Sequence, residues 1–369
     1  MLTIGIDVAK ATLEVAAWQD GQGERIGVFP NHPAGWDALR TAVTACLASP
    51  AAERGTAERG TAERGTAERG TAEAANAAAN AAVAVVLEPT GGYELGVALW
   101  ARQQPGWQVH RPNPAQVRAW ATSQGIRAKT DRQDARLLAR YGAAHAPLPV
   151  WQPLASEVSE LEQLLHRRDE VAAWVRREQA RADQLAARPD ASPTVRASRE
   201  RLLRTLEEEL AELEAAIAEH LRAHAELHAH QTRLQTVCGV GPRVGPSLVV
   251  ACERFQTRLG RPGTLADAKR LVAYLGVDPK PYQSGTSVHG PSLISRQGDG
   301  ALRARLYMGA LGALHGPNPL HAFYDGLVAR GKPKKVALVA AMRKLVVWAW
   351  AVFVTGQDFD PSKCAHNTA

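Results

Sequence analysis

Cysteine is scarce in this chain of 369 residues. The four are Cys46, Cys238, Cys252 and Cys364, and no two sit at metal-ligand or CxxC spacing. That excludes a zinc site and a disulfide framework, and it suits a reducing cytoplasm. Long apolar runs are missing too. The longest, Leu345 to Val354, is about half of what a bilayer requires, and Arg343 and Lys344 interrupt it upstream. Residues 335–354 are therefore predicted to form a buried or amphipathic helix, and a membrane protein is excluded. The N-terminus, MLTIGIDVAK, reads as a strand carrying an acid and not as a signal peptide. No G-x-S-x-G is present, which excludes a hydrolase nucleophile elbow. The GVGPRVG at 239–245 has no adequate strand before it and is rejected as a dinucleotide loop. Glutamate is absent between Arg254 and Lys344.

That last absence reveals where the charge lies. The chain carries a net +7, yet residues 254–344 hold 15 Lys and Arg against four Asp. A second basic stretch, 111–140, places seven Lys and Arg around Asp131 and Asp134. Two basic segments, one wrapped around acids, are what a phosphate-backbone binder needs; a solvated surface is the plainer alternative.

The pattern along the chain predicts strands at 2–6, 13–18 and 25–29, a helix at 36–47, and a buried strand at 83–87 (VAVVL). A helix from Gly91-Gly92 to about Gln103, a strand at 107–110, and helices at 114–123 and 130–141 follow. Residues 1–145 thus read β-β-β-α-β-α-β-α-α, an α/β domain with a three-stranded antiparallel start. Four AERGT copies and an Ala/Asn tract interrupt it between 48 and 82. A five-residue period presents no apolar face, so this insert is expected to be a surface loop or frayed helix.

Residues 151–232 differ. Leu203, Leu206, Leu210, Leu213, Ile217 and Leu227 alternate three and four apart, and an earlier helix carries Val158, Leu161, Leu165, Val171 and Val175. A helical hairpin or coiled coil is predicted, with His220 and His224 as partly exposed seam fillers. Residues 234–253 suggest a helix-hairpin-helix whose Gly-Val-Gly turn lets backbone N–H groups reach a phosphate; an ordinary helix–helix turn is the alternative. Residues 278–299 read as a Gly/Ser/Pro-rich loop before a helix bearing Arg303 and Arg305. Residues 357–369 are a tail.

Four acids fall at chemically useful places. Asp7 and Glu88 end strands, and Asp131 and Asp134 share one helix face three residues apart. Strand ends and a helix start can converge at one sheet edge, where four carboxylates would hold two divalent cations about 3.5–4 Å apart for attack on a phosphodiester. Hard oxygen ligands with no His or Cys nearby point to Mg²⁺ or Mn²⁺. Each acid alone is as readily a cap or a solvated charge; Asp131 at a helix start stabilises the dipole anyway.

GIDVAK (5–10), LEPTGGYE (87–94) and KTDRQDARLLARY (129–141) closely resemble a DEDD insertion-sequence transposase family of the IS-one-ten type, whose members act as bridge-RNA-guided recombinases. The resemblance implies a RuvC-like, RNase-H-type domain over 1–150 with Asp7, Glu88, Asp131 and Asp134 as its tetrad. It also implies a mainly α C-terminal transposase domain over 233–356 and a nucleophilic serine in a Ser-Gly motif. Here that serine falls on Ser284 in Gln283-Ser284-Gly285, with Ser287, Ser292 and Ser295 as rivals. Arg296, Arg303 and Arg305 would neutralise the attacked phosphate, His289 or a tetrad carboxylate would take the proton, and Lys129, Arg132 and Arg136 would grip nucleic acid. Donor and target DNA and a bridge RNA are the implied partners. Homodimers pairing into a tetramer are the implied assembly, and a cytoplasmic, nucleoid-associated location follows. Two rivals stay open on the residues alone: a Holliday-junction resolvase or metal nuclease that uses water, and a non-catalytic nucleic-acid scaffold.

Overall fold

The computed structural model describes residues 1–48, 82–126, 130–284 and 288–363; at 48, 281–284, 288, 289, 291 and 292 it describes the backbone only. The expectations for the AERGT insert, for Lys129 and for Ser287 lie outside the described residues. The chain forms two compact units, 1–153 and 154–369.

The first unit is built on a five-stranded sheet of order β3-β2-β1-β4-β5. Its strands are β1 (Leu2–Val8), β2 (Thr12–Gln19), β3 (Gln22–Pro30), β4 (Val83–Leu87) and β5 (Trp107–His110). β1, β2 and β3 are antiparallel neighbours, whereas β4 pairs in parallel with β1 and β5 in parallel with β4. Tight turns suffice for the first three. The parallel β4–β5 pair needs a crossover, which α2 (Leu95–Arg102) supplies; α1 (Pro33–Ala48) follows β3. Helices cover both faces of the central strands, so β1 and β4 are apolar nearly throughout. On one face Ile4, Ile6, Val85 and Leu87 pack with Leu39, Val43, Val97, Ala98 and Ala101. On the other, Val86 packs with Val117, Ala121, Leu137, Leu138 and Tyr141 of α3 (Pro114–Ser123) and α4 (Asp131–Ala144).

α4 crosses β1 closely because the crossing point is Gly5. A Cβ there would land on the Ala135 carbonyl oxygen and the Ala139 nitrogen. Gly142 of the same helix lies against Thr3 and Val86. Ascending α4 therefore means descending β1, which brings the helix start over the C-terminal end of the strand.

The second unit is mostly helical. α5 (Ser156–Ala186) and α6 (Pro193–Ala223) form an antiparallel hairpin, since Glu178 pairs with Arg199 at 2.6 Å and the Glu157 carbonyl meets His220 at 2.8 Å. Two helices of one chain packed this way fit the hairpin alternative; a coiled coil is not shown. His220 departs from expectation. It is buried, not partly exposed, because its ring reaches the Glu157 carbonyl across the hairpin, and only His224 is half-exposed.

α7 (Ala225–Leu234) and α8 (Gly245–Leu259) follow. A helix-hairpin-helix is not shown at their connection. Gly239, at φ +90°, and Gly309 press their backbones together so closely that a Cβ on either would strike the other's carbonyl. That glycine is there for internal packing. Next come α9 (Ala268–Tyr274), β6 (Pro279–Ser284), β7 (Val288–Ile294), α10 (Gly300–Ala313), α11 (Pro319–Ala329) and α12 (Lys334–Thr355). The expected loop at 278–299 is largely an antiparallel hairpin, because Pro279 to Ser284 pairs with Val288 to Ile294.

By length and composition α12 alone among the described helices could cross a membrane, but 61% of its apolar window is buried inside the protein. It is the central helix of this unit's core, with Trp350 fully buried and its indole N–H donating to the Thr264 carbonyl at 2.8 Å.

Candidate active site

Two of the four tetrad positions are placed by the sheet. In the parallel β1–β4 pair Ile6 lies beside Leu87, so Asp7 and Glu88 are the residues that follow the last paired ones. Side chains alternate along a strand. Thr3, Gly5 and Asp7 therefore share a face, as do Val86 and Glu88, and it is the face that α4 covers. The direction of α4 brings Asp134, one turn before the Gly5 crossing, toward the same end. Thr130 caps this helix by accepting the Gln133 N–H at 3.3 Å. Asp131 and Asp134 then lie in its first turn, where acids favour the helix dipole.

The side chains do not stand as a closed cage. Among the described residues no group of three or more His, Cys, Asp or Glu is arranged to hold a metal ion. Asp134 faces Arg118 at 3.7 Å, and Asp131 is exposed. A pair that long, with Arg118 largely solvated, contributes about 0–1 kcal/mol and yields readily to a stronger cation. The donor set itself, four carboxylates, fits a hard divalent ion.

Sequence reasoning missed the residues that hold these acids in place. Glu94, 2% exposed, accepts from the Thr90 N–H and Oγ1–H and from the Gly92 N–H at 3.0–3.1 Å, and it pairs with Arg111. Arg111 in turn stacks on Trp151 at 5.0 Å. The segment that leaves β4 through Glu88 is thus gathered around one buried carboxylate. Glu94 lies inside LEPTGGYE, but nothing in that string distinguishes a buried acid from a solvated one.

Burial pushes the Glu94 carboxyl up, but the Thr90 and Gly92 N–H groups and the Arg111 charge outweigh it and hold it below the usual carboxylate range. A lowered pKa contributes stability that is present above the unfolded value, near 4.3, and is lost as pH falls through the folded one. Glu94→Gln is expected to cost about 3 kcal/mol at pH 7, since it leaves Arg111 without its counter-charge. Thermal melts should show the gap from wild type narrowing as pH falls below the unfolded value, about 4.3; a gap independent of pH refutes the assignment.

In the second unit, Ser284 ends β6 opposite Val288, and Gln283 pairs with His289. Only the backbone is described at Ser284, His289 and Ser292. Ser295, by contrast, donates its hydroxyl to the Asp278 carboxylate. Two of the expected phosphate-binding arginines are also committed. Arg303 donates to the carbonyls of Gln297 and Gly298 at 2.8 and 3.0 Å, and Arg305 pairs with Asp169 of α5. Arg303 thereby holds the segment before α10, and Arg305 ties α10 to α5. Arg296 is exposed, with a left-handed φ of 57° just before Gly298. On α4, Arg132 and Arg136 are exposed beside the acids.

Comparison with known proteins bears on this arrangement. Residues 34–187 match a family described as a transposase, and residues 231–325 match the transposase IS116/IS110/IS902 family. The pilin gene-inverting proteins of Moraxella bovis and Moraxella lacunata are each 33% identical over 282 residues, covering 76% of this chain and 83% of theirs. The chain belongs to the IS110 transposase family. An uncharacterized protein of insertion element IS110 from Streptomyces coelicolor is 27% identical over 145 residues, covering 39% of this chain and 34% of that one. DNA recombination is the activity of this IS110-type chain, and DNA is its substrate. The first match takes in Glu88, Asp131 and Asp134, and the second takes in Ser284.

Proposed function

We propose that the chain cuts and rejoins DNA through a covalent serine intermediate, with an RNase-H-like (RuvC-like) domain as its metal-binding half. The observation that carries the reading is the convergence of Asp7, Glu88 and the α4 start at one end of the sheet, in an IS110-type chain. Asp7, Glu88, Asp131 and Asp134 would hold Mg²⁺, or Mn²⁺ in its place. When bound, the ion supplies Lewis-acid stabilisation of charge on the phosphodiester oxygens. Ser284 gives its proton to His289, its Oγ forms a bond to phosphorus as the bond from that phosphorus to one sugar oxygen breaks, and the departing sugar oxygen takes up a proton. A sugar hydroxyl of the second DNA end then displaces the serine and closes the exchanged strand. Arg132, Arg136 and Arg296, all exposed, support a role in holding the backbone. A bridge RNA would choose donor and target, dimers would pair into a tetramer, and the work would take place in the cytoplasm at the nucleoid. The relatives' name makes inversion of a DNA segment a natural form of the reaction.

The test is a suicide substrate: a duplex nicked near the exchange point, so that a cut strand end diffuses away. A protein–DNA adduct that survives denaturation and digests to a phosphoserine peptide at 284 is the expected result. Cleavage with no adduct overturns the serine step in favour of hydrolysis by water. No cleavage with any divalent ion favours a non-catalytic scaffold.

A further inference from the structure

We infer that Asn31 is a positioning residue that ties together the two strand ends bearing Asp7 and Glu88, and so sets the metal affinity of the site. This rests on the metal-site reading above. Asn31 follows β3 immediately. Its backbone N–H donates to the Ala11 carbonyl at 2.9 Å, anchoring it to that turn. Its side-chain Nδ2 donates twice, to the Ala9 carbonyl at 3.0 Å and to the Tyr93 carbonyl at 3.1 Å. Ala9 lies two residues beyond Asp7, and Tyr93 lies in the segment that leaves Glu88. One amide therefore bridges the connection after β1 and the connection after β4.

The orientation of that amide is forced. Carbonyls only accept, and the Trp36 indole N–H, which meets Oδ1 at 3.1 Å, only donates. Both N–H groups and the oxygen are used, so a flipped amide would lose all three bonds. Trp36 is itself held, packed against Gly96 of α2 and at 6.2 Å from the Trp100 ring. Glu94 grips the far side of the same 88–94 segment through Thr90 and Gly92. The Glu88 strand end is thus fixed at Tyr93 by Asn31 and at Thr90 and Gly92 by Glu94. β1 and β4 cease to pair after Ile6 and Leu87, just before the two acids. Past that point Asp7 stays paired with β2 through Glu14, but no β1–β4 pairing ties Glu88 to it, and the Asn31 amide links the two connections instead. Groups that orient metal ligands in this way change metal affinity about 10–100-fold when removed.

Asn31→Asp is the informative variant. It keeps the acceptor for Trp36, removes both donors and sets a negative charge against two carbonyl oxygens. Mn²⁺ titration of the full-length protein, followed by electron paramagnetic resonance, is expected to show affinity at least about ten-fold weaker than wild type. Cleavage should then need a correspondingly higher Mg²⁺ concentration and recover at saturation. Trp36→Phe, which frees the amide but keeps the aromatic packing, should shift affinity in the same direction by less, and it serves if Asn31→Asp does not fold. Unchanged Mn²⁺ affinity in folded variants overturns this inference and leaves the metal site standing. A wild type that binds no Mn²⁺ overturns the metal reading and this inference with it.

Discussion

Ser284→Ala is expected to abolish strand exchange and adduct formation while leaving DNA affinity nearly unchanged. Removing an attacking hydroxyl deletes the bond-forming atom, and such losses run to about 10³-fold or more in rate. Affinity should survive, because binding to DNA is dominated by contacts from basic side chains to many phosphates and one hydroxyl adds little. The measurement pairs a recombination assay on donor and target DNA with a gel-shift titration at fixed salt. Full recombination by the variant would move the nucleophile elsewhere. Ser287 would then be the first alternative.

Asp7→Asn should stop the reaction as completely, but by a different route. An amide keeps the shape and loses the charge, so the site binds its cation more weakly and the phosphodiester loses its Lewis acid. Raising the metal concentration, or offering Mn²⁺ in place of Mg²⁺, should restore part of the rate in Asp7→Asn and none in Ser284→Ala. The pair of variants thus separates loss of metal from loss of nucleophile. Equal rescue of both, or rescue of neither together with normal Mn²⁺ binding by Asp7→Asn, would show that Asp7 is not a ligand. Asp7 also lies opposite Glu14 across the antiparallel pair. Glu14 is occupied by Arg25 at 2.6 Å and is not expected to substitute.

Much of the first unit was legible in the residues. VAVVL, apolar at every position, had to be buried on both faces, and it is. The β-β-β-α-β-α-β-α-α order follows from alternation, glycine turns and helix starts, all of which act within a few residues. The acids at Asp7 and Glu88 could be placed at strand ends for the same reason. Other strings take on tertiary roles that their letters do not show. Gly239 and Gly241 looked like an anion-binding turn, yet Gly239 packs on Gly309, about seventy residues away in sequence. Arg303 and Arg305 looked like free positive charge, yet carbonyls and Asp169 claim them. Ser/Gly/Pro richness suggested an open loop at 278–299, and cross-strand pairing made most of it a hairpin.

The sequence by itself determined most elements of the first unit, the concentration of positive charge and the family. Each of these depends on residue type and short-range spacing, which one dimension preserves. Tertiary structure alone decided that β1 and β4 lie side by side in parallel, that α4 runs down over β1 at Gly5, and that Glu94 and Asn31 brace the strand ends. Those facts arise from pairings between residues tens of positions apart. A buried carboxylate or a bridging amide has the same letter as a solvated one, and only its partners in space give it a role.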